Sequence, residues 1–345
     1  MTDGSLSEAA WEVMQRQVGI VIPVYFPQGV DNDLGRELLR DTIHGYVQQM
    51  DDPASLCLSV DGAHYGKEIA EDLAREYQVQ ICCAAENRGK LQAVRHGMER
   101  LLEDTALSYL VVVDSDGDHF ANELLNFVRM AQYAQAHADI EEVLVLGRRI
   151  SRHRPLGFLR GELEELASRV LLDALAYDAA VKGRPLRLEC VTTLEEFPDF
   201  HSGYKLFSRG AAREVFLGTP QLCGASEDAY FRHGCEAVMA IEAMQSGAYL
   251  ALVNRSTMNE QPISTFGLLD RERMVADKII WSCKRLEIPS HFVDQWLRNH
   301  MPRLLLNTLA PQGQDELKQI RRLVLEAFDV AVEGDDQVMW GPLFV

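Results

Sequence analysis

Apolar residues in the first third of the chain come in short unbroken runs, separated by longer segments in which they recur every three or four positions. Runs without polar alternation suit strands whose sheet is covered on both faces, and the longer period is that of helices packed on those faces. The pattern predicts strands at 18–24, 55–60, 79–84 and 109–113, with helices at 36–50, 67–77 and 91–102 between them. Alternating units of this kind build right-handed crossovers, so the expected fold is α/β, with a Rossmann-like, mainly parallel central sheet and flanking helices.

A fifth strand at 143–146 precedes a break at Pro155 and Gly157 and then a long helix at about 159–176. The section 181–224 is irregular and spaced by Gly and Pro. Helical periodicity returns at 227–245, a strand follows at 249–253, and three amphipathic helical stretches fill 268–328. The expected division is an N-terminal extension at 1–17, an α/β domain at 18–262 and a C-terminal helical region at 263–345. The amphipathic faces of that last region are the candidate surface for a homo-oligomer.

Charge narrows the range of partners. The 345 residues carry 34 Lys plus Arg against 52 Asp plus Glu, a formal charge of −18 that argues against nucleic acid as a partner. The opening MTDGSLSEAAWEVMQRQ has no basic segment leading into an apolar one, and no later run approaches ~18 uninterrupted apolar residues. A cytoplasmic protein without a transmembrane segment is therefore expected. The seven cysteines form no CxxC pair, which suits reduced thiols, and Cys223, His233 and Cys235 make the nearest approach to a zinc cluster without its spacing.

Ligands of open α/β sheets lie beyond the carboxyl ends of the strands, so the residues that follow each strand forecast the site. Here the first strand ends in Pro23-Val24-Tyr25, and the next three end in Asp61-Gly62, Glu86-Asn87-Arg88-Gly89-Lys90 and Asp114-Ser115-Asp116-Gly117-Asp118. The last group places three carboxylates within five residues, a donor set for Mg²⁺ or Mn²⁺ that leaves room for phosphate oxygens. The same composition also makes an ordinary solvated Asp/Gly turn.

Taken in order, IVIPVYF, SVDG, ENRGKLQAVRHGM, LVVVDSDGDHFANELLNF and the run from Asp199 to Arg209 resemble the blocks of family 2 GT-A glycosyltransferases. The similarity is to the branch holding polyprenyl-phosphate glucosyl- and mannosyltransferases, and it spans residues 18 to about 255. It implies a GT-A fold and transfer of a hexose from a UDP- or GDP-linked nucleotide-diphosphate sugar, with inversion. On this resemblance Pro23, Tyr25 and Asp61 hold the nucleoside; Arg88, Gly89, Lys90, Arg95 and Ser115 line the nucleotide sugar; and Asp114, Asp116 and Asp118 hold the cation. Asp228, next to Glu227, is the expected base, with Glu236 as its rival. Ser226 and the two acids would equally well cap the helix that starts there.

Departures from the family pattern are a lone Asp61, Leu91 in place of Gly, and the absence of a Q-x-x-R-W motif and of membrane helices. Two other functions share some of these residues. A haloacid-dehalogenase-like phosphatase would use Asp114 as nucleophile, but its motif belongs on the first strand and carries a Thr that is missing here. A non-catalytic nucleotide-sugar-binding protein would keep the fold without needing the three aspartates. The run GRRISRHR, with Arg148, Arg149, Arg152 and Arg154, points to an anionic acceptor, since guanidinium groups bind phosphate and carboxylate bidentately. The alternative is a connector whose arginines pair with Glu162, Glu164 and Glu165.

Overall fold

The computed structural model describes residues 3–26, 32–63, 66–191, 197–261 and 270–331. Helix α1 (Asp3–Gln17) leads into β1 (Val18–Val24), followed by α2 (Asn32–Val47), β2 (Leu56–Val60), α3 (Lys67–Tyr77), β3 (Gln80–Cys83), α4 (Lys90–Leu101) and β4 (Tyr109–Val112). Next come α5 (Leu124–Ala138), β5 (Val143–Arg149), α6 (His153–Val181), β6 (Lys205–Ser208), α7 (Arg209–Leu217), α8 (Cys235–Gln245) and β7 (Tyr249–Arg255). The described chain ends with α9 (Arg271–Arg285), α10 (Ser290–His300), the short α11 (Leu306–Leu309) and α12 (Gly313–Glu326).

The seven strands form one sheet in the order β3-β2-β1-β4-β6-β5-β7. Every neighbouring pair is parallel except the two that involve β6, which runs antiparallel to both β4 and β5. The carboxyl ends of the other six strands consequently share one edge, and the residues that precede β6 arrive at that same edge. The expected α/β fold on a mainly parallel sheet is present. Its antiparallel strand was not foreseen, because four residues with Lys205 among them make no apolar run.

Side chains alternate between two cores, as the two-residue period of a strand requires. Ile20, Ile22, Leu56 and Leu58 pack with α1, α2, α3 and α5, whereas Val21 and Cys57 pack with α4, α6, α7, α8 and the last helices. Ala10 and Met14 of α1 are buried in the first core, so the residues expected as an N-terminal extension are partly built into the sheet layer. Trp281, Val293, Leu297, Ile320 and Val324 belong to the second core together with α6 and α8. The expected boundary at 262/263 lies outside the described residues.

Two expected helices differ in detail. Helix α6 starts earlier, at His153, and absorbs the Pro/Gly break as a kink at Gly157, whose φ is 74°. The segment expected as one helix at 227–245 opens with a wide π-type turn (Ala229–His233) and begins regular helix only at Cys235. Such turns hold one residue more than an α-helical turn and occur frequently at functional sites.

A buried ion cluster ties the sheet to α6. The Arg149 guanidinium donates to Asp199 at 2.8 and 2.7 Å and to Glu164 at 2.7 Å, and the Arg149 backbone N–H donates to Asp199 as well. Burial alone would raise both acids, but the Arg149 charge outweighs it, holding Asp199 at about 2 and Glu164 well below the usual carboxylate range. Removing one partner of a buried pair leaves uncompensated charge, which costs about 3–5 kcal/mol.

We therefore expect Arg149→Met to lower stability by about that amount in urea denaturation; an unchanged midpoint would show the cluster to be dispensable. A group whose folded pKa is depressed confers stability above its unfolded value that is lost as pH falls toward the folded one. The wild-type protein should lose stability between the ordinary Asp value of 3.8 and about 2, and Arg149→Met should lose less over that window.

Candidate functional site

A polar cavity of about 90 Å³ opens at the shared sheet edge. Its walls include Lys90, Asp114, Asp118, Arg149, Glu164, His201, Gly203, Glu236, Arg255 and Lys278. Five cations (Lys90, Arg149, Arg160, Arg255 and Lys278) meet four carboxylates (Asp114, Asp118, Glu164 and Glu236) in this space. Three lining residues, Leu156, Arg160 and Glu164, come from α6, and Gln261 follows β7.

Lys90 is the hub of the sheet side. Its Nζ lies 2.6 Å from Asp114 Oδ1 and 2.8 Å from Glu236 Oε1, joining the ends of β3 and β4 to the start of α8. Burial would lower the ammonium, but the two carboxylates outweigh it and hold Lys90 well above its ordinary value. Burial likewise opposes ionisation of Glu236, yet Lys90, Lys205 and Lys278 carry its carboxyl well below the usual range. The thiol of Cys235 donates to the other Glu236 oxygen at 2.8 Å.

The loop that delivers Lys90 is fixed from both sides. The Asp61 carboxylate accepts the backbone N–H groups of Arg88 and Gly89 at 2.9 and 3.0 Å, and Arg232 of the π-type turn donates to the Asn87 carbonyl at 2.8 Å. Gly89 has φ of 105°, and a Cβ there would stand 2.6 Å from the Phe231 carbonyl oxygen, so only glycine fits. Gly203 is constrained differently: a Cβ on it would collide with the Asp114 carboxylate, which lets the turn before β6 pass directly over the end of β4.

The three aspartates after β4 do not act as one group. Asp118 is engaged by Arg255 at 3.0 Å and by the Met258 N–H at 2.6 Å, while Asp116 accepts from Gln261 at 3.0 Å and from the Asp118 N–H at 3.2 Å. Among the described residues no three His, Cys, Asp or Glu side chains converge on a point that could hold a metal ion. Asp114 and Asp116 remain as a pair. Burial and then the Asp114 charge push Asp116 up to about 6, whereas Asp114 has Lys90 as its counter-charge.

His119 stabilises the turn from behind. Its Nδ1 accepts the Asp114 N–H at 2.9 Å, and its ring stacks on Tyr204, which in turn stacks on Phe127. Burial, then the Arg255 charge, keeps the imidazole neutral by lowering it well below its ordinary value.

Of the residues forecast from sequence, Lys90, Asp114, Asp118 and Arg149 line the cavity, as does Glu236, the rival base. Asp228 and Glu227 do not reach it: Asp228 is exposed and pairs with Arg232 at 2.8 Å, and Ser226 accepts the Ala229 N–H as a helix cap would. Arg95 holds the carbonyls of Val215 and Gly218, tying α4 to α7. Arg88 is exposed beside Glu86, and Tyr25 is exposed after β1, while Pro23 sits within β1 opposite Ser59. Ser115 is half-buried in the turn after β4.

The arginine run is mostly engaged by protein. Arg148 donates to Asn254 at 2.8 Å, Arg149 belongs to the ion cluster, and Arg152 pairs with Glu165 and lies over the Phe197 ring. Arg154 is exposed. The connector pairing with Glu164 and Glu165 is thus the one observed for Arg149 and Arg152. Sequence reasoning gave no role to His201, Arg255 and Lys278. His201 had a signal, its place in the 199–209 block; Lys278, inside an amphipathic helix, had none.

No protein-family model matches the chain, and no curated protein matches it by sequence. Among solved structures, it is similar to glucosyl-3-phosphoglycerate synthase from Mycobacterium tuberculosis in complex with Mg²⁺ and uridine diphosphate. The TM-score is 0.47 at 18% identity, over 84% of this chain and 85% of that one. It is also similar to S. aureus TarS 1–349, with TM-score 0.40 and 11% identity over 91% of each chain. The same TarS segment in complex with UDP gives 0.37 at 10% identity, again over 91% of both chains. No helix among the described residues is long and apolar enough to cross a membrane.

Proposed function

We propose that this chain is a GT-A glycosyltransferase that moves a hexose from a UDP- or GDP-linked sugar to an acceptor, with inversion and with help from a divalent cation. The observation that carries the reading is Lys90, held between Asp114 and Glu236 at the carboxyl edge of the sheet. A cation-binding carboxylate, a phosphate-seeking ammonium and a candidate base are thereby within one side-chain length of each other.

Asp114 and Asp116 fit a cation such as Mg²⁺ or Mn²⁺, which commonly takes one or two protein carboxylates together with phosphate oxygens. Burial, and then the charge of Asp114, raise the Asp116 carboxyl, and a bound cation would offset both by supplying positive charge there. When bound, the ion would stabilise the diphosphate leaving group. Asp118, committed to Arg255, serves instead to position the turn.

Glu236 takes the role of base in preference to the exposed Asp228. It accepts the proton of the acceptor hydroxyl as that oxygen bonds to the anomeric carbon and the bond to the diphosphate breaks. The Lys90 ammonium, 2.8 Å away, suppresses its basicity. Once the ammonium turns to a diphosphate, Glu236 loses its nearest counter-charge and becomes the stronger base.

Two outcomes are expected. First, a thermal-shift screen of nucleotide sugars should show stabilisation that depends on Mn²⁺ or Mg²⁺, reaching about 2.7 kcal/mol at a hundredfold excess over Kd. Asp116→Asn should remove the metal-dependent part, and full transfer activity in EDTA would exclude the cation. Second, Glu236→Gln should slow transfer by about 10²–10⁴-fold with donor binding retained, whereas Asp228→Asn should change little. The reverse pattern would make Asp228 the base, and a product of retained configuration would rule out a single-base mechanism.

A further inference from the structure

Charge is unevenly divided along the cavity. On the sheet side Asp114, Asp118 and Glu236, with Asp116 just behind them, outnumber Lys90 and Arg255 with Lys205 behind; on the α6 and α9 side Arg149, Arg160 and Lys278 outnumber Glu164 and the Asp199 that pairs with Arg149. The first end suits a cation and the second an anion.

Two polar groups at the second end have bonding capacity that the described residues do not use. His201 is 5% exposed, its Nδ1 lies 3.1 Å from the Ser168 hydroxyl, and its Nε2 has no hydrogen-bond partner. Lys278 is 7% exposed, and the carboxylate it pairs with, Glu164, stands 3.8 Å from its Nζ, beyond hydrogen-bond length. Glu164 is already served by Arg149 at 2.7 Å and by Arg160 at 3.1 Å, so it does not need the ammonium. Both His201 and Lys278 line the cavity. A buried polar atom without a partner, as His201 Nε2 is, is costly, and a ligand oxygen would satisfy it while giving the Lys278 ammonium a contact of hydrogen-bond length.

We propose that His201 Nε2 and Lys278 Nζ form an oxyanion subsite that holds the carboxylate or phosphate group of the acceptor, with Arg160 at its side. With the Ser168 hydroxyl donating to Nδ1, the ring proton sits on Nε2 and points at that oxyanion. Assigning the anion to the acceptor rests on the glycosyltransferase reading; the anion site itself does not. It moves the anchor forecast for Arg148, Arg149, Arg152 and Arg154 to Lys278, a residue of the C-terminal helices, and so gives α9 a part in the site.

The test follows the His201 ring nitrogens by NMR in protein labelled with ¹⁵N-histidine, assigned through the signal lost in His201→Gln. Inorganic phosphate and, separately, acetate are titrated with UDP or GDP and Mg²⁺ present, and nucleotide binding is read from ³¹P spectra of the same samples. Saturable movement of the His201 signal by either anion, weakened about tenfold or more in Lys278→Met and kept in Lys278→Arg, supports the subsite. The tighter of the two anions names the acceptor class. Nucleotide binding with no movement of His201 by either anion, or equal anion affinity in wild type and Lys278→Met, overturns the subsite alone. Anion binding at His201 with neither nucleotide bound supports the subsite and overturns the glycosyltransferase reading.

Discussion

Arg149 stands at the last position of β5, and its guanidinium is enclosed by Asp199, which comes before β6, and Glu164, on α6. The end of β5, the helix that follows it and a turn 50 residues beyond Arg149 are thus joined at one sheet edge by charges that water hardly reaches. The arrangement fixes where the antiparallel strand enters, and so where His201 and Gly203 lie. A hydrophobic contact of similar area would hold the segments together with less directional control, because only the planar fork of arginine demands a particular placement of both acids.

The same geometry explains which parts of the site can be read from sequence. Residues that follow a parallel strand announce themselves, since an apolar run ends and a polar loop begins; Asp61, Lys90 and Asp114 were found in this way. Residues that precede an antiparallel strand have no such marker, and β6 itself is disguised by Lys205, buried in mid-sheet with its ammonium lowered to about 8 by burial. The fold class was legible because it rests on periodicity. The partners of Asp118 and Arg95 were not, because a charged residue looks alike in sequence whether it faces a ligand or a neighbouring carbonyl.

Glu236 shows the limit from the other side. Its sequence surroundings, C-E-A-V-M, carry less of a signature than the Ser226-Glu227-Asp228 helix start, yet only Glu236 faces Lys90. Helix starts attract acids for reasons of capping and dipole alone, and Asp228 satisfies those reasons at the surface. The distinction depends on how far around the helix each residue has turned when it meets the cavity.

That rotation is set by the wide turn at Ala229–His233. Each residue in a helix advances the direction of the next side chain by about 100°. One residue more or fewer between Asp228 and Cys235 therefore changes the phase of everything that follows, presenting a thiol or a methyl to Lys90 where a carboxylate now stands. The turn works as a register stop. In a lineage descended from this chain, the loops before Ser226 and after Gln245 can change length freely as far as this geometry is concerned, but the spacing from Asp228 to Glu236 cannot.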